Sequence, residues 1–355
     1  MRSMKDRLNL PDFGRWLTRE DSYSDVIISS RIRLARNLNG YPFPHRAKKE
    51  LLDEVVGKVD AACRNTRLLS AATYLKISNL SEWESKCLIE RRLASPQFVN
   101  SKKPALLVIA PEEAVSIMVN EEDHLRIQTL AAGLGITEAW RVISNLDDEL
   151  GDELAYSFSS QFGYLTACPT NIGTGLRVSV FVHLPSLALT EKINSLLSDL
   201  PTSEIAVRGF YGEGTDSLGN IFQISNQLTL GRTEKGVIKR MVDISKKIVE
   251  MERAARSALL SKNRIKLEDT VYRALGIMQK ARLMSSIEAM NLISAIRLGL
   301  ECGIVNTVTR LALNQLMVLV QPAHLQKVFK RDLEWQERDM YRASFMREYL
   351  IDKSN

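Results

Sequence analysis

The chain has 355 residues, enough for two domains, and its 45% hydrophobic and 25% charged residues are the make-up of an ordinary folded protein. A net charge of +6, with no run of five or six like charges, argues against a nucleic-acid or membrane-surface protein. Four scattered cysteines without a Cys-x-x-Cys pair argue against a disulfide framework or a structural zinc site. The charged start lacks the apolar core of a signal peptide and no apolar run has membrane length, so the expected location is cytoplasmic.

Residues 1–20 read as a lead-in broken by Pro11 and Gly14. From 21 to about 260 the texture is mixed α and β. Residues 26–28, 106–109 and 114–119 are short apolar or β-branched runs. Residues 176–184 alternate, with Val178, Val180 and Val182 on one face, as a half-buried strand does. Helical spacing marks 48–62, through Leu51, Leu52, Val55, Val56 and Val59. It also marks 185–200, opened by Pro185 and closed by Pro201. Residues 233–261 read as one long helix striped by Val237, Met241, Ile244, Ile248 and Met251. Beyond it strand signals vanish. The pattern predicts an α+β domain over 21–260 and an all-helical domain over 261–355.

Short motifs carry the chemistry. In Ser29-Ser-Arg-Ile-Arg33, alternation puts Arg31 and Arg33 on one face of a strand. Glu121-Glu-Asp123 places carboxylates in a turn shortly before Arg126, which suits a cationic substrate beside an anionic one. Cys168-Pro-Thr-Asn-Ile-Gly-Thr-Gly-Leu-Arg177 leads into the alternating strand, and Arg208 precedes a second acidic turn containing Glu213 and Asp216. There is no P-loop and no His-Arg-Asp catalytic loop. Phosphoryl transfer asks mainly for positioning and charge neutralisation, and guanidinium forks match phosphate oxygens. A substrate guanidinium is a poor nucleophile because it is cationic. Carboxylates that accept its N–H groups and take a proton as the bond forms overcome that. His124 and His183 lie in apolar, strand-like contexts and read as structural.

Together these motifs resemble the phosphagen-kinase (ATP:guanido phosphotransferase) superfamily, whose members move the γ-phosphoryl group of ATP onto a guanidinium nitrogen. The resemblance implies a catalytic domain built on an antiparallel sheet flanked by helices, with ATP and Mg²⁺ as cofactors. It implies that Arg31, Arg33, Arg126, Arg177 and Arg208 clamp the phosphates. The implied ATP site also takes in Ser29, Ser30, Ile32 and Arg92, the strand residues Val178, Ser179, Val180 and Phe181, and the turn residues Gly209, Phe210, Tyr211, Gly212 and Glu213. Glu122 becomes the main substrate carboxylate and base, Glu213 the second carboxylate, and Cys168 a thiol that tunes the site. No protein cage for a metal is implied; magnesium leans on phosphate and water. Two positions depart from the family pattern: Arg92 stands where a histidine is usual, and Asp216 replaces a glutamate.

Metabolite kinases of this superfamily carry a helical domain ahead of the Ser-Arg-x-Arg motif. Here the motif begins at residue 29 and the helical mass lies after residue 260. That arrangement, with Tyr211 and the stretch Gly219-Asn-Ile-Phe-Gln-Ile-Ser-Asn226, is similar to the bacterial protein-arginine kinases. Arg338-Asp-Met-Tyr-Arg-Ala343 resembles their phosphoarginine-binding motif, with Arg338 and Arg342 four apart on one helical face and Asp339 between them. The resemblance further implies a set of partners. These are protein substrates with exposed arginines, among them a stress-gene repressor and unfolded proteins, a zinc-binding activator, a Clp ATPase downstream, and a second copy in a homodimer. A free-arginine kinase and a catalytically lapsed phosphoarginine adaptor are the alternatives.

Overall fold

The computed structural model describes residues 13–201, 203–209, 218–329 and 331–352. The short helix α1 (Arg15–Thr18) leads into the long strand β1 (Ile27–Arg36). After α2 (Lys49–Asn65), β2 (Thr73–Lys76), α3 (Glu82–Glu90) and α4 (Pro96–Val99) comes a meander of β3 (Leu106–Ile109), β4 (Val115–Val119) and β5 (Leu125–Ala132). Helix α5 (Ile136–Glu153) and a small hairpin of β6 (Phe158–Ser159) and β7 (Gly163–Tyr164) precede β8 (Leu176–His183). Helices α6 (Pro185–Leu189) and α7 (Ile193–Asp199) separate it from β9 (Ile205–Gly209) and β10 (Ile221–Asn226). The remainder of the described chain is helical: α8 (Glu234–Lys280), α9 (Ser286–Glu301), α10 (Arg310–Leu319), α11 (Pro322–Phe329) and α12 (Trp335–Asp352).

Eight strands form one antiparallel sheet in the order β2-β3-β4-β5-β1-β8-β10-β9. Its register decides the function of its faces. Arg33 stands opposite Gln128 on β5 and Arg177 on β8, Arg31 opposite Leu130 and Ser179, and Ala35 opposite Arg126. Residues paired across a ladder share a face, and residues two apart on a strand share it too. Gln223 pairs with Phe181 and with Arg208, which carries the same face to the far edge. One face therefore gathers all five arginines.

The other face is apolar. Ile32, Leu34, Ile127, Val178, Val180 and Ile224 pack with Val55 and Val59 of α2, Ile143, Leu146 and Leu150 of α5, and Met241 and Ile248 of α8. A buried ion pair lies within it. Arg36 donates through Nε (3.1 Å) and Nη2 (2.6 Å) to Asp147 of α5, its Nη1 to the carbonyls of Ala35 and Thr174, and its plane lies 3.5 Å over the Tyr164 ring.

A second core unites the helices after residue 260 with Trp16, Leu17, Ile28, Leu130, Phe181 and Ile221, closing one end of the arginine face. Buried Arg297 of α9 reinforces this seam by donating to the Ser24 carbonyl at 2.6 Å.

Two helix boundaries differ from the sequence expectation. Residues 185–200 are not one helix: the chain turns at Glu191, with φ of +57°, and splits α6 from α7. The long helix does not stop near Ser261 but runs to Lys280, with a local break at Asn263, φ −138°. The stripe of Val237, Met241, Ile244 and Ile248 is buried as its spacing predicts, while Met251 is half-buried. Among the described residues no helix is long and apolar enough to cross a membrane.

Candidate active site

The arginine face opens into a cleft of about 610 Å³, lined by Arg31, Arg33, Arg92, Arg126, Arg177 and Arg208 together with Gln128 and Gln223. Among the described residues, Glu121 and Glu90 are the carboxylates that line the cleft against these six guanidinium groups. The Nε atoms of Arg31, Arg33 and Arg177 are buried without a hydrogen-bond partner. Burial, then the neighbouring Arg92, Arg126 and Arg177, pushes the Arg31 guanidinium well below its ordinary value, and Arg33 is pushed the same way. Burial, then Arg208 and Arg126, lowers Arg177. An arginine still keeps its proton; burial is the larger cause of these shifts, and the crowding of like charges adds to it. Arg31 Nη2 donates to Gln223 Oε1 at 3.1 Å, and the Gln128 amide donates to the Arg92 carbonyl at 2.7 Å. The Arg92 guanidinium lies 3.5 Å over the Phe181 ring, in a backbone conformation with φ of +63°.

The cleft continues into a smaller pocket of about 110 Å³ that shares Arg33, Glu121, Arg126 and Arg177 and adds Glu122, Cys168, Thr170 and Asn171. Here the three acidic residues of the turn take three different parts. Glu121 is buried; it pairs with Arg126 at 2.6 Å and accepts from the Ser95 hydroxyl at 2.6 Å. Burial raises its pKa, but Arg126 and these hydrogen bonds outweigh that and hold it below the usual value. Asp123 is buried and accepts from Asn37 and from the Ala167 amide, each at 2.6 Å, which ties the turn to the loop before Cys168. Glu122 is half-buried, lies within reach of the Cys168 thiol, and has a pKa raised first by burial and then by Asp123 and Glu121.

The loop around Cys168 is shaped by its glycines. Gly173 has φ of +107°, and an added Cβ would come within 2.6 Å of the Thr229 carbonyl. Gly175, at φ +64°, would meet the Ala35 carbonyl at 2.6 Å, while its own carbonyl accepts from the Ala35 amide at 3.0 Å. Only glycine lets the loop lie this close to the edge of the sheet. The Cys168 Sγ sits 3.0 Å from the Thr170 hydroxyl.

Side chains of the other expected ATP-site residues divide. Ser179 and Phe181 share the arginine face, and so does Ser29, opposite Phe181. Ile32, Val178 and Val180 point into the opposite apolar core, and the Ser30 hydroxyl donates to the Gly133 carbonyl at 2.7 Å. Gly209 ends β9. Phe210, Tyr211, Gly212, Glu213 and Asp216 lie outside the described residues. His124 is structural: Nδ1 accepts from the Leu38 amide, Nε2 faces the Pro42 carbonyl, and burial lowers its pKa to about 4. His183 bonds to the Ser294 hydroxyl at 2.8 Å.

Arg338, Asp339 and Arg342 stand apart from the cleft, on α12. Arg342 is buried and donates to the carbonyls of Val320 (2.7 Å) and Met284 (2.8 Å) and to Asp339 at 2.6 Å. Arg338 donates to the Leu333 carbonyl at 2.7 Å and is only half-buried. The i, i+4 spacing therefore does not present two equally free guanidinium groups. Sequence reasoning also passed over Ser95, Gln128 and Gln223, and it named Glu121 in the acidic turn without a role of its own. The two glutamines were detectable only through strand register, since each sits opposite a cleft arginine.

Comparison with known proteins gives the family of the chain. Residues 54–255 match the family described as ATP:guanido phosphotransferase, C-terminal catalytic domain, and residues 264–355 match the protein-arginine kinase McsB C-terminal domain. The protein-arginine kinase of Desulforamulus reducens is 44% identical over 99% of both chains. That of Halothermothrix orenii is 43% identical over 98% of this chain and 99% of its own. Among solved structures, a lombricine kinase superposes with a TM-score of 0.60 at 23% identity, covering 70% of this chain and 73% of its own. The duplicated taurocyamine kinase of Schistosoma mansoni gives 0.59 at 25% identity, covering 75% of this chain and 39% of its own. The chain belongs to the protein-arginine kinase family of ATP:guanido phosphotransferases.

Proposed function

We propose that this protein transfers the γ-phosphoryl group of ATP to arginine side chains of proteins. The observation that carries the reading is the junction of two pockets, one walled by arginines and one offering Glu122 beside Cys168, with Arg33, Arg126 and Arg177 in both. A nucleotide whose phosphates lie on Arg31, Arg33, Arg126, Arg177 and Arg208 points its γ-phosphorus at a guanidinium held by Glu122. The guanidinium nitrogen attacks in line, the P–N bond forms as the P–O bond to ADP breaks, and Glu122 takes the proton. Glu121 leaves that task to Glu122 because Arg126 and Ser95 already engage it. Mg²⁺ fits as part of the nucleotide complex, where it neutralises phosphate charge. Among the described residues, Glu121 and Glu90 are the carboxylates lining the larger cleft, and both are committed to internal partners.

Glu213 completes the substrate carboxylates in this reading, and Arg338, Asp339 and Arg342 form a separate phosphoarginine site. The division of the chain near residue 260, a cytoplasmic location and a homodimer are part of the same proposal. So are a stress-gene repressor and unfolded proteins as substrates, a zinc-binding activator, and a Clp ATPase that receives the products. All of these rest on the family. The test is incubation with MgATP and, separately, casein and free arginine. Acid-labile phosphate on the protein but not on the amino acid is the expected result. Phosphate on free arginine alone would make it a metabolite kinase, and none on either would leave a binding protein.

A further inference from the structure

Glu90, the last residue of α3, borders the nucleotide cleft and reaches across to the first turn of α11. Its carboxylate accepts from the Ala323 amide (2.8 Å), the His324 amide (3.0 Å) and the His324 ring Nδ1 (2.6 Å). A carboxylate at a helix N-terminus is an ordinary cap. The cap leaves two groups unexplained. His324 is 1% exposed, and its Nε2 is buried without a partner. Cys87, three residues before Glu90 and so on the same face of α3, is buried as well. The Cys87 Sγ, a Glu90 oxygen and a His324 ring nitrogen lie within 4.8 Å of one another.

We propose that Cys87, Glu90 and His324 bind a thiophilic divalent cation, Zn²⁺ above all, at the seam between α3 and α11. Thiolate, imidazole and carboxylate are the donors zinc takes, and three protein ligands leave the fourth position to water. Bonds of about 2.0–2.3 Å require the donors to close by roughly an ångström, a movement within side-chain reach. Glu90 faces the His324 Nδ1 in the ion-free chain; binding replaces that hydrogen bond by one bond from each group to the ion, with the ring proton on Nε2. Burial pushes the Cys87 thiol up to about 12, so it enters the site protonated. Binding then replaces S–H by S–metal and releases one proton to solvent. The sequence hides this site because one ligand lies 234 residues from another, with no Cys-x-x-Cys spacing. Once filled, it rivets the C-terminal helices to the wall of the cleft.

The test uses full-length protein stripped by a chelator, then titrated with Co²⁺ as an absorbing probe and with Zn²⁺ against a chromophoric chelator. One ion per chain and a thiolate-to-cobalt charge-transfer band are expected. The band should vanish in C87S and persist in C168S, and H324Q should weaken binding about tenfold or more. Circular dichroism and MgATP binding establish that each variant is folded. Should C87S fail to fold, loss in H324Q of the Zn²⁺-induced rise in melting temperature decides in its place. A wild type that takes up no stoichiometric ion overturns the proposal. So does a band that survives in C87S, or binding that H324Q leaves unchanged.

Discussion

Replacing Glu122 by Gln preserves size and shape but removes the only carboxylate of the acidic turn that has no structural hydrogen-bond duty. Its neighbours are no substitutes, because Arg126 and Ser95 hold Glu121 while Asn37 and the Ala167 amide hold Asp123. Turnover should therefore fall by the full value of a general base, about 10²–10⁴-fold, or roughly 2.7–5.4 kcal/mol on the barrier. ATP affinity, measured by calorimetry, should be unchanged, since the clamp arginines lie on strands. The pH profile adds a second readout. Burial and the two neighbouring acids raise the Glu122 pKa, and a base works only above its pKa. Wild-type activity should thus be present above that value and be lost, as pH falls, at a higher pH than an ordinary glutamate near about 4.3 would give. The Gln variant should lack this limb. Linkage fixes the sign for stability: the ionised form is disfavoured in the folded state, a cost present above the folded pKa and relieved as pH falls through it. Glu122→Gln should therefore be no less stable than wild type at neutral pH. Turnover within tenfold of wild type, with a normal acid limb, would refute the assignment.

Arg126→Lys keeps the charge but not the fork, and losing one charge-assisted bond, about 1.5–3 kcal/mol, should weaken ATP binding roughly 10–100-fold in calorimetry. Asp147→Ala strands the buried Arg36 guanidinium and should cost about 3–5 kcal/mol in urea unfolding. Arg342→Ala leaves the Val320 and Met284 carbonyls without their donor and should cost at least about 2 kcal/mol. A variant as stable as wild type would place Arg342 outside the packing of the C-terminal helices.

What the sequence made legible follows period and local chemistry. Alternation put Arg31 and Arg33 on one face, and the three-four spacing of Val55 and Val59 or of Met241 and Ile248 marked the faces that are buried. What it hid was non-local. Nothing near Gln128 or Gln223 marks them as cleft residues; pairing across β5, β1, β8 and β10 does. Likewise Glu121 and Glu122 are equivalent as letters. Resemblance alone set Glu122 apart, and the fold pairs Glu121 with Arg126 and leaves Glu122 facing Cys168. The break at Glu191 escaped because the apolar spacing of 185–200 continues through it while the backbone turns left-handed. Arg342 looked like a surface fork because its carbonyl partners come from Val320 and Met284, far along the chain.

The crowded guanidinium groups of the cleft also bear on how the enzyme lets go of its product. In the proposed binding mode each phosphate on the sheet would lower the mutual repulsion of Arg31, Arg33, Arg126 and Arg177. Loss of the terminal phosphoryl group to substrate leaves ADP with less charge to offset them. Part of the repulsion then returns at the moment chemistry is complete. On the proposed binding mode, the array that draws in the triphosphate would hold the diphosphate less firmly, and the charge of one sheet face would set the direction of nucleotide exchange.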